Sequence, residues 1–179
     1  MNAHRRLAHL RAHLNPSVAK SDGAEEAKSD GAEEEDNTLA IAPGWQYVSG
    51  AYAATRWREG FDGPLSGARV VACGEGWTCM ELVVEKRHLN MAQNLHGGMS
   101  MTIIDSLGTT ALYTLRPGAN SVSVSLSTTF TSPAREGDTL SVTSKVVKHG
   151  RKMVFIHVDI ANKADGALVA SGTHVKKII

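Results

Sequence analysis

A single stretch of helical periodicity, set between two blocks that alternate with a period of two, limits this chain of 179 residues to few architectures. The stretch opens with Asn90-Met91-Ala92-Gln93-Asn94-Leu95-His96-Gly97-Gly98 and runs as an apolar helix to about Leu115. At about 100° per residue, Ile104, Leu107, Gly108, Ala111, Leu112 and Leu115 form one arc, with Met101 on the same side, while Thr102, Ser106 and Thr110 lie opposite. Asp105 falls at the edge of the apolar arc, where a carboxylate is unfavourable unless it is paired or used. Gly97 and Gly98 leave backbone N–H groups bare at the positive end of the helix dipole. That suits an anionic oxygen, or it serves only a tight helix start.

Before the helix, residues 65–73 and 77–84 read as paired strands joined by Gly74-Glu75-Gly76. Further upstream, residues 45–57 suit a short amphipathic helix that Gly60 and Asp62-Gly63-Pro64 would end. After the central helix, Arg116-Pro117-Gly118 stops it, because the residue before a proline is pushed out of the helical region. In residues 121–131, Val122, Val124, Leu126 and Phe130 alternate with Ser121, Ser123, Ser125 and Thr131, the pattern of a half-buried strand with one polar face. Strands over 139–147, 153–162 and 168–176 follow, joined by Lys148-His149-Gly150-Arg151-Lys152 and Ala164-Asp165-Gly166. The expected class is α+β, one six-stranded antiparallel sheet wrapped around one long central helix, so that the two apolar faces cover each other. A helix of about 18 residues spans about 27 Å, close to the width of six strands at ~4.8 Å each.

One domain is expected over residues 43–179, with residues 1–40 outside it. The balance of 19 basic against 18 acidic residues, net +1, creates no global field that would draw nucleic acid, so any anion site must be local. Cys73 and Cys79 flank a short turn and read as free thiols, and no apolar run approaches the roughly 20 residues of a membrane span. Residues 1–20 carry Arg5, Arg6, Arg11 and Lys20 with no acidic residue before Asp22. That is the composition of a serine-poor mitochondrial transit peptide or of a basic tail, so the expected compartment is mitochondrial, with cytoplasmic as the alternative. Ala19-Lys20-Ser21-Asp22-Gly23-Ala24-Glu25-Glu26 is then repeated as Ala27-Lys28-Ser29-Asp30-Gly31-Ala32-Glu33-Glu34. A tandem octapeptide without large apolar residues cannot offset its ordering entropy by burial and reads as a disordered linker.

Residues 90–105, Val122-Ser123-Val124, Ser132-Pro133-Ala134 and Asn162-Lys163-Ala164 resemble the hotdog-fold acyl-CoA thioesterases of the phenylacetyl-CoA thioesterase class, nearest to the eukaryotic acyl-coenzyme A thioesterase thirteen group. The likeness covers roughly two-thirds of the chain in unbroken order. It implies hydrolysis of acyl-CoA to free acid and coenzyme A, a homotetramer built from two dimers, and active sites shared across the dimer interface. Coenzyme A would be part of the substrate, with no other cofactor. Two other readings stand beside it: an acyl-CoA binding or scaffolding protein of the same fold without turnover, and a hotdog hydratase or dehydratase.

Thioester hydrolysis needs an acceptor for the proton of the attacking water and donors for the developing oxyanion. The Gly97 N–H can be such a donor, and the resemblance makes Asp105 the general base; otherwise Asp105 is a structural carboxylate. The two are eight residues apart, about 12 Å along one helix, too far to grip one reacting carbon, so they fit together only if they come from different subunits. The resemblance has Ser123 hold the water or the aspartate, although a serine in an alternating strand is also simply solvent-facing. Asn90 matches an asparagine that positions water or the thioester, or it is a turn residue. His96 orients the carbonyl or caps the helix. A metal is not indicated, since His96 and Asp105 stand alone without paired His or Cys spacing. For coenzyme A, Lys148, His149, Gly150, Arg151, Lys152 and Met153 form a basic turn, Lys176 and Lys177 follow the last strand, and the resemblance adds Ser125, Phe130 and Lys177. The plain alternative for the turn is a charged hairpin that protects a sheet edge.

Overall fold

The structure, a computed structural model, describes Val48 and residues 60–179. The basic tail, the octapeptide repeat and the helix expected over 45–57 lie outside the described residues, Val48 excepted. A 3₁₀ turn at Gly63–Gly67 leads into β1 (Arg69–Gly74) and β2 (Trp77–Val83), and a second 3₁₀ turn follows at Lys86–His88. The central helix runs through α1 (Gly97–Thr102), a π-helical segment (Ile103–Leu107) and α2 (Gly108–Leu115). Strands β3 (Ser121–Phe130), β4 (Thr139–His149), β5 (Met153–Asn162) and β6 (Leu168–Ile178) complete the chain.

All six strands form one sheet in the order β1-β2-β4-β5-β6-β3, each antiparallel to its neighbours. Met80, Leu82, Val142, Val154, Ile156, Val158 and Ile160 from its inner face join Ile103, Ile104, Leu107, Ala111 and Leu112 of the helix in a single core. The helix comes unusually close to β5 and β6. A Cβ on Gly108 would stand 2.8 Å from Val158 Cγ2, and one on Gly172 would stand 2.8 Å from Ile104 Cδ1. Hydrogen on both α-carbons is therefore what seats the helix on the sheet.

Four details depart from the sequence expectations. Residues 65–67 form a 3₁₀ turn instead of the start of a strand, because Pro64 pre-sets the turn and Leu65 is drawn into the core. The helix is not uniformly α: the π-helical segment widens one turn and rotates the face that follows. Thr110, expected on the polar side, is consequently fully buried, with its hydroxyl 2.8 Å from that of Thr78. Strand β3 is a sheet edge instead of a half-buried strand, and Val122, Val124 and Phe130 are each about half exposed. Finally, Lys176 and Lys177 lie within β6, which continues to Ile178, and do not follow it. Both cysteines are free, and burial raises the pKa of the Cys79 thiol.

Candidate active site

The loop before the helix is built around two side chains. His88 is buried; its Nδ1 accepts from the Glu85 N–H at 2.9 Å and its Nε2 lies 2.9 Å from the Pro64 carbonyl, an arrangement that needs a neutral ring with the proton on Nε2. Burial lowers its pKa accordingly. The His88 carbonyl then accepts the His96 N–H at 2.8 Å, and Leu95 N–H donates to Ala134 O at 2.7 Å, so both ends of the loop are tied down. Between them, Asn90 Oδ1 accepts the N–H groups of Ala92 (2.9 Å) and Asn94 (3.2 Å). Asn90 is thus the turn residue, and these bonds use its oxygen and not its NH2. Gln93, with φ at 59°, adopts the left-handed conformation inside that turn.

His96 caps the helix: its Nδ1 accepts from Gly98 N–H at 2.9 Å. A Cβ on Gly98 would press to 3.0 Å against that same nitrogen, which explains the second glycine. Gly97 faces a cavity of about 350 Å³ whose walls include Asn90, Leu95, Phe130, Pro133 and Val169. The Phe130 ring lies 3.4 Å from where a Gly97 Cβ would be, so it roofs the start of the helix on this side.

Asp105 sits in the π-helical segment and opens onto a different cavity, of about 150 Å³, shared with Asp62, Ser106, Thr109, Tyr113 and Lys176. Its carboxylate is partly exposed, at 44%. Ser123 Oγ donates to Asp105 Oδ1 at 3.1 Å. Strict alternation along β3 would turn Ser123 away from the helix, but the register of β3 against β6 shifts between Ser123 and Ser125. That bulge places Ser123 opposite Lys176, on the inner face, and re-aims its hydroxyl at the carboxylate. Two residues that the sequence reading did not bring to the carboxylate stand there as well. His174 Nε2 is 3.2 Å from Asp105 Oδ1, and Lys176 Nζ is 4.0 Å from it. Burial, reinforced by Lys176 and opposed by Asp105, pushes the His174 imidazole down to about 4. Burial also lowers the Lys176 ammonium, with Asp105 pulling the other way. Their signal in the sequence was an alternation of His174 and Lys176 on one face of the last strand, but which face it was depended on the register.

The basic turn is assembled from three parts. Gly150 N–H closes it on Met153 O at 2.8 Å, and Arg116 from the helix end reaches the main-chain oxygens of Gly150 (3.3 Å) and Arg151 (3.4 Å). Lys177 pairs with Met153 across β5 and β6, which brings it beside the turn. On the outer face, Lys148, Phe155, Val175 and Ser125 form one row across β4, β5, β6 and β3. Phe130 is not part of this corner; it belongs to the Gly97 cavity. Among the described residues no three His, Cys, Asp or Glu side chains are grouped to hold a metal, and no helix is long and apolar enough to cross a membrane.

The chain is similar to known proteins over the region that holds these residues. The family described as the thioesterase superfamily matches residues 92–169. Human acyl-coenzyme A thioesterase 13 is 37% identical over 118 residues, covering 66% of this chain and 84% of the human protein. Zebrafish thioesterase superfamily member 2 has the same fold with a TM-score of 0.64 and 38% identity, over 67% of this chain and 87% of that one. The Escherichia coli PaaI protein from the phenylacetic acid degradation operon aligns with a TM-score of 0.58 and 25% identity, over 63% and 80%. The six-stranded antiparallel sheet around one long helix is the hotdog fold of these proteins.

Proposed function

This chain belongs to the thioesterase superfamily, and we propose that it hydrolyses acyl-CoA to the free acid and coenzyme A. The observation that carries the mechanism is the partly exposed Asp105 carboxylate, held on one oxygen by Ser123 beside a small polar cavity. Asp105 takes a proton from water as the water attacks the thioester carbon, and the carbonyl oxygen gathers negative charge. The Gly97 N–H at the helix N-terminus and the NH2 of Asn90 stabilise that charge; as the intermediate collapses the C–S bond breaks, and the coenzyme A thiolate takes up the proton that Asp105 received, which restores the carboxylate. Gly97 and Asp105 open onto separate cavities of one chain, with about 12 Å of helix rise between them. The site is therefore completed by a second copy, whose Gly97 faces Asp105 of the first. The exposed edge β3, with Val122 and Val124 turned outward, is the surface such a copy would cover. Two such dimers make the tetramer. The phosphates of coenzyme A meet the basic corner of Lys148, Arg151, Lys152 and Lys177, with Ser125 and Met153 beside them.

The test is release of free thiol from short, medium, long and aryl acyl-CoAs by the wild type and by Asp105→Asn. That substitution keeps the side-chain shape and removes its basicity. The proposal expects rapid release that falls at least ~100-fold in the variant. Binding of coenzyme A with no thiol released from any thioester would rule out hydrolysis.

A further inference from the structure

Two buried side chains of β6 have no part in that mechanism, yet both reach its base. His174 is fully inaccessible, with Nε2 2.9 Å from Ser123 Oγ and 3.2 Å from Asp105 Oδ1. Lys176 Nζ is 3.4 Å from Ser123 Oγ and 4.0 Å from the same carboxylate oxygen. Proton counting fixes the tautomer. The Ser123 hydroxyl spends its one hydrogen on Asp105 and the carboxylate only accepts, so the His174 nitrogen facing them must carry a hydrogen. The other ring nitrogen, Nδ1, is buried with no hydrogen-bond partner. A bare lone pair there is tolerable, whereas a second proton would create a buried and unpaired cationic N–H. The ring is consequently held neutral and can neither take the water's proton nor rotate its donor away. Ser123 donates to Oδ1 of Asp105, His174 Nε2 and Lys176 Nζ both donate to the Ser123 oxygen, and the two nitrogens stand on the Oδ1 side of the carboxylate. Oδ2 is the oxygen left for water.

We propose that His174 and Lys176 are positioning residues, which lock Ser123 and Oδ1 of Asp105 so that a single carboxylate oxygen, Oδ2, is aimed at the attacking water. The proposal rests on Asp105 being the base. His174 supplies a fixed donor to Ser123, and Lys176 supplies a second, charged one. The other groups around Asp105 are Asp62, whose Oδ1 accepts from Ser106 at 2.8 Å, together with Thr109 and Tyr113 on the helix. Asp62 is the one negative charge among them.

The experiment compares His174→Leu, His174→Gln, Lys176→Met, Lys176→Arg and Asp105→Asn by kcat and KM separately. Thermal unfolding checks that each variant is folded. His174→Leu is expected to lose about tenfold in kcat, the loss of the hydrogen bond that fixes Ser123, with KM little changed. His174→Gln, which keeps an N–H in place of Nε2, recovers most of it. Lys176→Met, which removes the second donor to Ser123, is expected to lower kcat about tenfold with KM little changed, and Lys176→Arg restores most of it. Wild-type kcat in His174→Leu or in Lys176→Met overturns the proposal while an inactive Asp105→Asn leaves the base in place. An active Asp105→Asn overturns the base itself.

Discussion

The two ends of the working helix are built from different materials. At Gly97 the polar groups belong mostly to the main chain: a capped helix start, a turn closed by Asn90, and a loop tied at His88 and Ala134. At Asp105 they are side chains from three elements, namely the π-helical segment, the bulged edge β3 and the inner face of β6. The first is mostly local in the chain: its bonds lie largely within residues 85–98, with Pro64 and Ala134 as the outside ties. The second exists only when the sheet has closed, because Ser123 is 18 residues from Asp105 and His174 is 51 from Ser123. A donor that must meet an oxyanion is well made from backbone, whereas a base needs its charge and direction set by groups from elsewhere.

This contrast can be broken at either end. The largest effect is expected from Gly97→Val, whose side chain would meet the Phe130 ring already 3.4 Å from a Cβ at that position. Thiol release should fall about 100-fold or more through loss of the oxyanion donor's access, with little change in the thermal midpoint. At the other end, Ser123→Ala removes the hydroxyl that donates to Oδ1 and should lower kcat about tenfold while KM holds. A loss as deep as that of Gly97→Val would mean that the serine itself takes part in bond making.

The next effect is on stability and concerns both ends. His88 and His174 are each held neutral in the fold, with pKa values below that of the unfolded chain, at about 4 for His174. Between the unfolded value of about 6.5 and the folded value, the unfolded chain binds more protons. Stability is therefore complete above about pH 6.5 and falls as the pH drops toward 4. The thermal midpoint should be lower at pH 5 than at pH 7 by about 5 °C or more. In His174→Leu that slope should be shallower, and an unchanged slope would locate the acid sensitivity elsewhere. The smallest effect is expected from Thr110→Val, which strands the buried Thr78 hydroxyl and should cost about 1–2 kcal/mol in urea unfolding without changing kcat.

The same local-versus-global division explains what could be read before the fold was known. The alternation of Val154, Ile156, Val158 and Ile160 specifies β5 because each of those side chains is buried against the helix. The glycine pair and the helix cap are likewise short-range signals and stand where the residues put them, whereas the basic turn is shorter than expected because β4 continues through Lys148 and His149. Ser123 is different. Its period-two position indicates the polar face, and only a bulge, which depends on pairing with β6, brings it inward. Thr110 shows the same limit for the helix, since a wheel at fixed pitch carries no knowledge of a π turn. The exposed edge of β3 was hidden too, because the alternation of Val122 and Val124 is compatible with burial by this chain or by a second copy.

The central claim is that one reacting centre draws Asp105 from one copy and Gly97 from another, and mixing tests it most directly. Asp105→Asn and Gly97→Val, each inactive alone, are unfolded together, refolded and assayed for thiol release. In a mixed dimer one site keeps both intact residues and the other keeps neither, and random pairing makes half of the dimers mixed. Activity should return to about one-quarter of the wild-type value. If mixed dimers form, as shown by a size tag on one variant, and hydrolysis stays at the sum of the two inactive proteins, the shared site is contradicted.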